Sequence, residues 1–212
     1  MCRIFSLEYD FDRGEHLKKM HRKYEDVDEL STELKNQLIA KSTSIIANLK
    51  KGDYIKAEAL LNAITENLKL TYDSKEINKQ RPNDGKEKNQ HPLKPIRGQI
   101  YNAFLGENLG SELSGEHPVI ILQNSSGNLF SQKVNVVPIE GDGNKVKKPY
   151  QIKLTSNELE DGVILKKDPS RVIISDIITI DKARLGLLVG KVKKEKMKEI
   201  SKLIASQLEI KP

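Results

Sequence analysis

The chain has 212 residues, 37% of them hydrophobic and 31% charged, with a formal net charge of +6 and no tryptophan. That length suits one large domain or a small domain with an extension, and no apolar run approaches the roughly 20 residues that span a bilayer. Cysteine occurs once, at Cys2, which leaves this sequence no internal disulfide or thiolate metal site, and its four histidines (His16, His21, His91, His117) are too dispersed to suggest a zinc site.

Residues 1–13 carry no readable periodicity, and the N-terminus lacks the basic-then-apolar order of a secretory signal, so a cytoplasmic location is expected. From about residue 15 helical spacing takes over, with Val27, Leu30, Leu34, Leu38, Ile45 and Leu49 on one face. Gly52 predicts a helix end and Asp53 the cap of a second helix over 54–70, with Ala57, Leu60, Leu61, Ile64 and Leu68 facing inward. Residues 1–72 thus read as a helical hairpin that cannot bury both apolar faces by itself. Residues 73–95 hold few apolar side chains and three prolines, and read as a linker. His91 falls within it, where a catalytic role is not expected.

From residue 96 the period changes to two and to short apolar runs: 99–105, 119–123, 134–139, 150–154, 163–165, 171–180 and 187–192. Several short strands with turns between them predict a small, strongly bent antiparallel barrel over 96–212. An amphipathic helix over 194–208, with Met197, Ile200, Ile204 and Leu208 on one side, follows the last strand. The fold class expected is therefore α+β. Between the first two strands lies a glycine-rich segment too long for a tight hairpin, and a polar loop, 124–128, follows the second. A long loop inside a compact domain is usually functional. Charge agrees in direction: residues 1–80 carry fourteen groups of each sign, and residues 97–212 carry eighteen cations against fourteen anions. A positive field there suits a polyanion such as nucleic acid, and solubility alone is an equally good reading of so modest an excess.

Particular residues sharpen this. R-G-Q-I-Y (97–101), G-S-E (110–112), H-P-V (117–119), Q-N (123–124), G-N-L-F-S (127–131) and I-I-T-I-D-K-A-R-L-G (177–186) follow one another along the second half of the chain. Together they resemble the MazF/PemK family of toxin endoribonucleases, whose members show R/K-G-D-x-Y/W, G-S-E, R-P-V, Q-N, G-N-x-F-S and I-x-T-I-D-K-x-R-L-G. The resemblance covers about residue 96 onward and leaves the first ninety residues untouched. It implies an SH3-like barrel of the MazF/CcdB/Kid type with a C-terminal helix, here preceded by the helical hairpin. It also implies a homodimer that cuts single-stranded RNA at short sequences without metal or other cofactor. An antitoxin is the implied partner, and operator DNA a target of the pair.

Metal-free RNA cleavage uses the 2′-hydroxyl as internal nucleophile, so the protein must move two protons and stabilise charge on phosphorus. The resemblance assigns this to an arginine before the R-P-V proline and a threonine at the start of the third strand, and here those positions hold His117 and Lys133. An acid/amide pair before I-x-T-I-D-K is replaced by Ser175 and Asp176. One reading keeps the chemistry: His117 handles the proton, Lys133 supplies positive charge and Asp176 orients the histidine. In the other, the barrel has lost catalysis and only binds nucleic acid or antitoxin. Arg97, Ser111, Glu112, Asn124, Asn128 and Ser131 are the expected RNA contacts, and for the loop residues ordinary turn formation is an equally good reading.

Overall fold

The computed structural model describes residues 31–49 and 54–210. These form two compact units, one up to Tyr54 and the other from Ile55. In the first, helix α1 spans Thr32–Ala47. The Ser31 hydroxyl accepts from Leu34 N at 3.2 Å, satisfying one of the orphan N–H groups that open any helix, and Glu33 sits where the helix dipole favours an anion. Asn48 N–H closes the helix by donating to Ile45 O. The expected helical positions Val27 and Leu30, and the caps Gly52 and Asp53, lie outside the described residues.

The second unit takes all but the first residue of α2, Tyr54–Lys79. It runs nine residues beyond the expected end at 70, and the face that meets the sheet differs from the expected one. Leu60, Leu61, Ile64 and Leu68 are exposed, whereas Ala63 and Ser74 are buried. Polar pairings hold this inner face in place. Gln132 Nε2 donates to Ser74 Oγ at 2.6 Å, Ser74 Oγ donates to Asp181 Oδ2 at 2.9 Å, and Arg184 Nη2 donates to Asn67 Oδ1 at 2.9 Å. Lys56 pairs with Glu107. Apolar spacing alone misreads such a helix, because small and amide side chains form its seam.

Residues 80–95 contain no helix or strand, yet they are packed onto the barrel. Arg81 Nη1 donates to Phe130 O at 2.8 Å, and His91 N donates to Leu129 O at 2.7 Å. His91 is 2% exposed, and its Nδ1 lies 3.0 Å from Leu93 N. Burial, and then the charge of Lys182, depress its pKa. Lys182 itself is fully buried and donates to Leu93 O at 3.0 Å and Asn128 O at 2.6 Å. Its pKa is lowered to about 8, first by burial and then by Arg81, against the opposing pull of Asp181. A stretch poor in apolar residues is thus anchored by backbone carbonyls.

Seven strands follow: β1 Gln99–Phe104, β2 Glu116–Ile121, β3 Lys133–Glu140, β4 Gln151–Leu154, β5 Ser170–Ile173, β6 Ile178–Asp181 and β7 Leu185–Lys191. A six-residue helix α3, Ser125–Phe130, stands where a polar loop was expected, because the Asn124 side chain accepts from Gly127 N and caps it. The expected strand over 171–180 is two strands parted by a turn, and 163–165 forms none. The sheet is antiparallel throughout and runs β4-β5-β3-β2-β1-β7, with β6 on the first half of β3. A bridge between Leu159 and Val192 joins the β4–β5 connection to the end of β7 and bends the sheet towards closure.

Two apolar clusters fill the sheet's two sides. One gathers Ile100, Ile120, Val137, Ile139, Val172 and Ile200, the last from helix α4, Lys194–Gln207. The other gathers Ala103, Val119, Ile121, Val134, Val136 and Ile180. The alternation of these positions along β1, β2 and β3 is the period-two signal seen in the sequence. No described helix is long and apolar enough to cross a membrane.

Candidate active site

The loop between β1 and β2 leaves the sheet through a narrow neck. Leu105 N donates to Gly115 O at 2.8 Å and Gly115 N to Gly106 O at 2.7 Å. Both glycines have positive φ, +93° and +81°, a backbone state that side chains disfavour. Within the loop, Asn108 Nδ2 donates to Leu113 O, the Ser114 hydroxyl accepts from Asn108 N, and Glu112 Oε2 accepts from Leu109 N. The loop faces the β5–β6 turn across a cavity of about 420 Å³ lined by Asn108, Ser111, Glu112, Leu113, Asp176 and Ile178. Three residues singled out from the sequence, Ser111, Glu112 and Asp176, therefore share one opening.

His117 lies two residues past the neck, on β2. Its Nε2 is 3.1 Å from Ser114 O. A carbonyl only accepts, so Nε2 carries the proton and Nδ1 holds the lone pair in the neutral ring. The carboxylate expected to orient this ring, Asp176, instead accepts from its neighbour Ser175 Oγ at 2.8 Å. Backbone, not carboxylate, fixes the imidazole.

Lys133 does not join His117. Gln123 Nε2 donates to Lys133 O, and Gln123 stands two residues past the end of β2 and six along the chain from His117, roughly 20 Å at the rise of a strand. Lys133 pairs across β6 with Asp181, on the side of β3 opposite Val134. The expectation that both would occupy one groove floor is corrected: it treated the start of β3 as adjacent to the start of β2, whereas antiparallel pairing puts the end of β3 there.

What that pairing brings near His117 is a polar row the sequence reading missed. The β2–β3 ladder ends at Val119 opposite Pro138, and two residues further on, with the same facing, stand His117 and Glu140. Glu140 pairs with Arg171 on β5, and Arg171 pairs with Lys153 on β4. Arg171 Nε and Nη2 both donate to Glu140 Oε2, at 3.1 and 2.8 Å, while Nη1 donates to Lys145 O. The signal available in the sequence was a charge set inside apolar runs, V-V-P-I-E and S-R-V-I-I.

The remaining expected contacts lie at the other end of the sheet. Asn124 caps α3. Asn128 is buried, donating to Gln123 O, with its Oδ1 unpaired, and Ser131 Oγ accepts from Lys133 N. Arg97 donates to Ser201 Oγ at 2.9 Å beside α4, in a groove of about 620 Å³ that also holds Lys194, Met197, Lys198 and Lys202. Among the described residues no three His, Cys, Asp or Glu side chains are grouped as a metal ion would require.

Antiparallel barrel, long neck-bound loop and C-terminal helix together define a small toxin fold. A family model described as PemK-like, MazF-like toxin of type II toxin-antitoxin system matches residues 96–208, more than half of the sequence, and the chain belongs to that family. Among curated relatives, Endoribonuclease MazF of Staphylococcus saprophyticus is 37% identical over 108 residues, 51% of this chain and 86% of that protein. Solved structures that it resembles include an endoribonuclease in complex with its cognate antitoxin from a mycobacterial species (23% identity, 56% of this chain and 97% of that one, TM-score 0.41). MazF from Deinococcus radiodurans is another (15% identity, 54% and 96%, TM-score 0.45).

Proposed function

We propose that this chain is the toxin of a type II toxin–antitoxin pair, a cytoplasmic homodimeric endoribonuclease that cuts single-stranded RNA at short sequences. Its 2′-hydroxyl chemistry needs no metal and leaves a 2′,3′-cyclic phosphate and a 5′-hydroxyl. The observation that carries the reading is His117. It stands before the H-P-V proline with its Nε2–H held by Ser114 O, and Ser114 follows Leu113, which lines the cavity of about 420 Å³. Ser111, Glu112 and Asp176 supply hydrogen-bonding groups to read a splayed base at its edges. An antitoxin segment would occupy the same opening, and the pair would bind operator DNA.

Incubation of the protein with mixed-sequence RNA in EDTA, with the new ends mapped and their phosphates identified, tests this. Cleavage that survives the chelator and yields cyclic phosphate is expected. Activity lost in EDTA and restored by magnesium would overturn the metal-free mechanism. A second reading, a barrel that binds without cutting, has its own observation in its favour, since the family's arginine is replaced by His117. RNA retained at stoichiometric protein but left uncut would select it.

A further inference from the structure

Glu140 ends β3 at the point where the ladder to β2 has stopped, and its carboxylate is shared unequally. Oε2 takes both Arg171 bonds, while Oε1 accepts none among the described residues. Arg171 is itself fixed by Lys145 O. A carboxylate held by a guanidinium through two bonds to one oxygen is oriented at the cost of that oxygen, with the other left over. Continuing the β2–β3 register pairs it with His117, whose Nδ1 is the ring atom not engaged by Ser114. Both side chains share the face of Val119 and Pro138. Lys153 completes the row beyond Arg171, exposed and positively charged.

On the strength of the ribonuclease reading above, we propose that Glu140 is the general base of the cleavage, that His117 is its general acid, and that Arg171 is the positioning residue that aims Glu140. Glu140 Oε1 takes the proton of the RNA 2′-hydroxyl as the 2′-oxygen bonds to phosphorus. The bond from phosphorus to the 5′-oxygen breaks, and that oxygen takes a proton from Nδ1 of the His117 imidazolium. The products are a 2′,3′-cyclic phosphate and a 5′-hydroxyl. Exchange with water then returns Glu140 to carboxylate and His117 to imidazolium. Acid and base on opposite strands flank the phosphate, as an in-line displacement requires, and Lys153 meets its charge from the side of Arg171. Lys133 has no part in these steps.

Single-turnover cleavage of a short RNA by the full chain and its variants is the test. Glu140→Gln keeps the shape and an acceptor for Arg171 and is expected to lower kcat about 10²- to 10⁴-fold, the range for a positioned acid or base, with KM unchanged or lower because an anion has gone. Arg171→Lys keeps the charge and loses the fork, with a smaller loss of kcat. A substrate with a 5′-thio leaving group, which departs without a proton, separates the roles: it should rescue His117→Ala and leave Glu140→Gln slow. Thermal unfolding checks that each variant folds, and Glu140→Asp, which retains the carboxylate, serves should the glutamine variant not. Wild type that cuts RNA while Glu140→Gln and Glu140→Asp cut at the same rate overturns this assignment and leaves the ribonuclease reading standing. Wild type that cuts no RNA overturns both.

Discussion

The two ends of the β2–β3 ladder use polar residues in opposite ways. At the Asn124–Lys133 end nearly every polar group is spent on the chain itself: Asn124 caps α3, Ser131 accepts from Lys133 N, and Lys182 donates to two carbonyls. At the His117 end side chains are fixed by one atom and leave another free: Nε2 of His117 is held by a backbone carbonyl and Oε2 of Glu140 by the Arg171 guanidinium. A polar residue is a candidate for chemistry when its hydrogen-bonding capacity is only partly consumed. Residue type alone does not reveal this, since asparagine and serine occur at both ends.

This contrast can be broken by substitution. The largest effect is expected from His117→Ala, which should lower cleavage by about 10²- to 10⁴-fold with the melting midpoint nearly unchanged; a folded variant of undiminished activity would erase the distinction between the ends. Next comes Lys182→Met, which orphans the carbonyls of Leu93 and Asn128 and is expected to cost about 2–4 kcal/mol in urea unfolding, with activity intact in whatever fraction remains folded. A chain starting at residue 96 removes Leu93 and His91 from the same cluster. It should still unfold cooperatively, as an independent barrel would, at lower urea than residues 55–212.

A pH series gives a finer test. His91 is held neutral in the fold, with its pKa below the ordinary 6.5. The unfolded chain therefore binds the proton first as pH falls, and the His91 contribution to stability is present above 6.5 and lost as pH drops from there towards the folded pKa. Wild type should lose stability on that limb, and His91→Asn should show a shallower slope. The smallest effect is expected from Lys133→Ala. At roughly 20 Å from His117 it should change the cleavage barrier by no more than about 0.5 kcal/mol, the scale of ordinary surface substitutions, as read by kcat. A loss of thousands of fold there would show that the far end takes part.

The barrel was legible because its physics is local. The short apolar runs of β1, β2, β3 and β7 and the stripe Met197, Ile200, Ile204 are properties of a few consecutive residues, and strand and helix formed where they fell. The family was legible from motifs in the same stretch. What failed was non-local. That β3 meets β2 with its far end towards His117 depends on antiparallel register, so Lys133 was paired with the wrong end and Glu140 was missed. Residues 73–95 read as a linker by composition, yet α2 continues to Lys79 because Ser74 finds Asp181 and Gln132. Partners from a hundred residues away leave no trace in a sliding window.

The neck at Leu105, Gly106 and Gly115 ties the loop's two ends to each other before either reaches the sheet. Everything between them is consequently detachable in the evolutionary sense. The stretch 107–113 can lengthen, shorten or change composition without shifting the pairing of Ala103 with His117 below it, while Ser114 stays to hold the imidazole. A single frame can so be issued with many different mouths while the strands below keep their pairing.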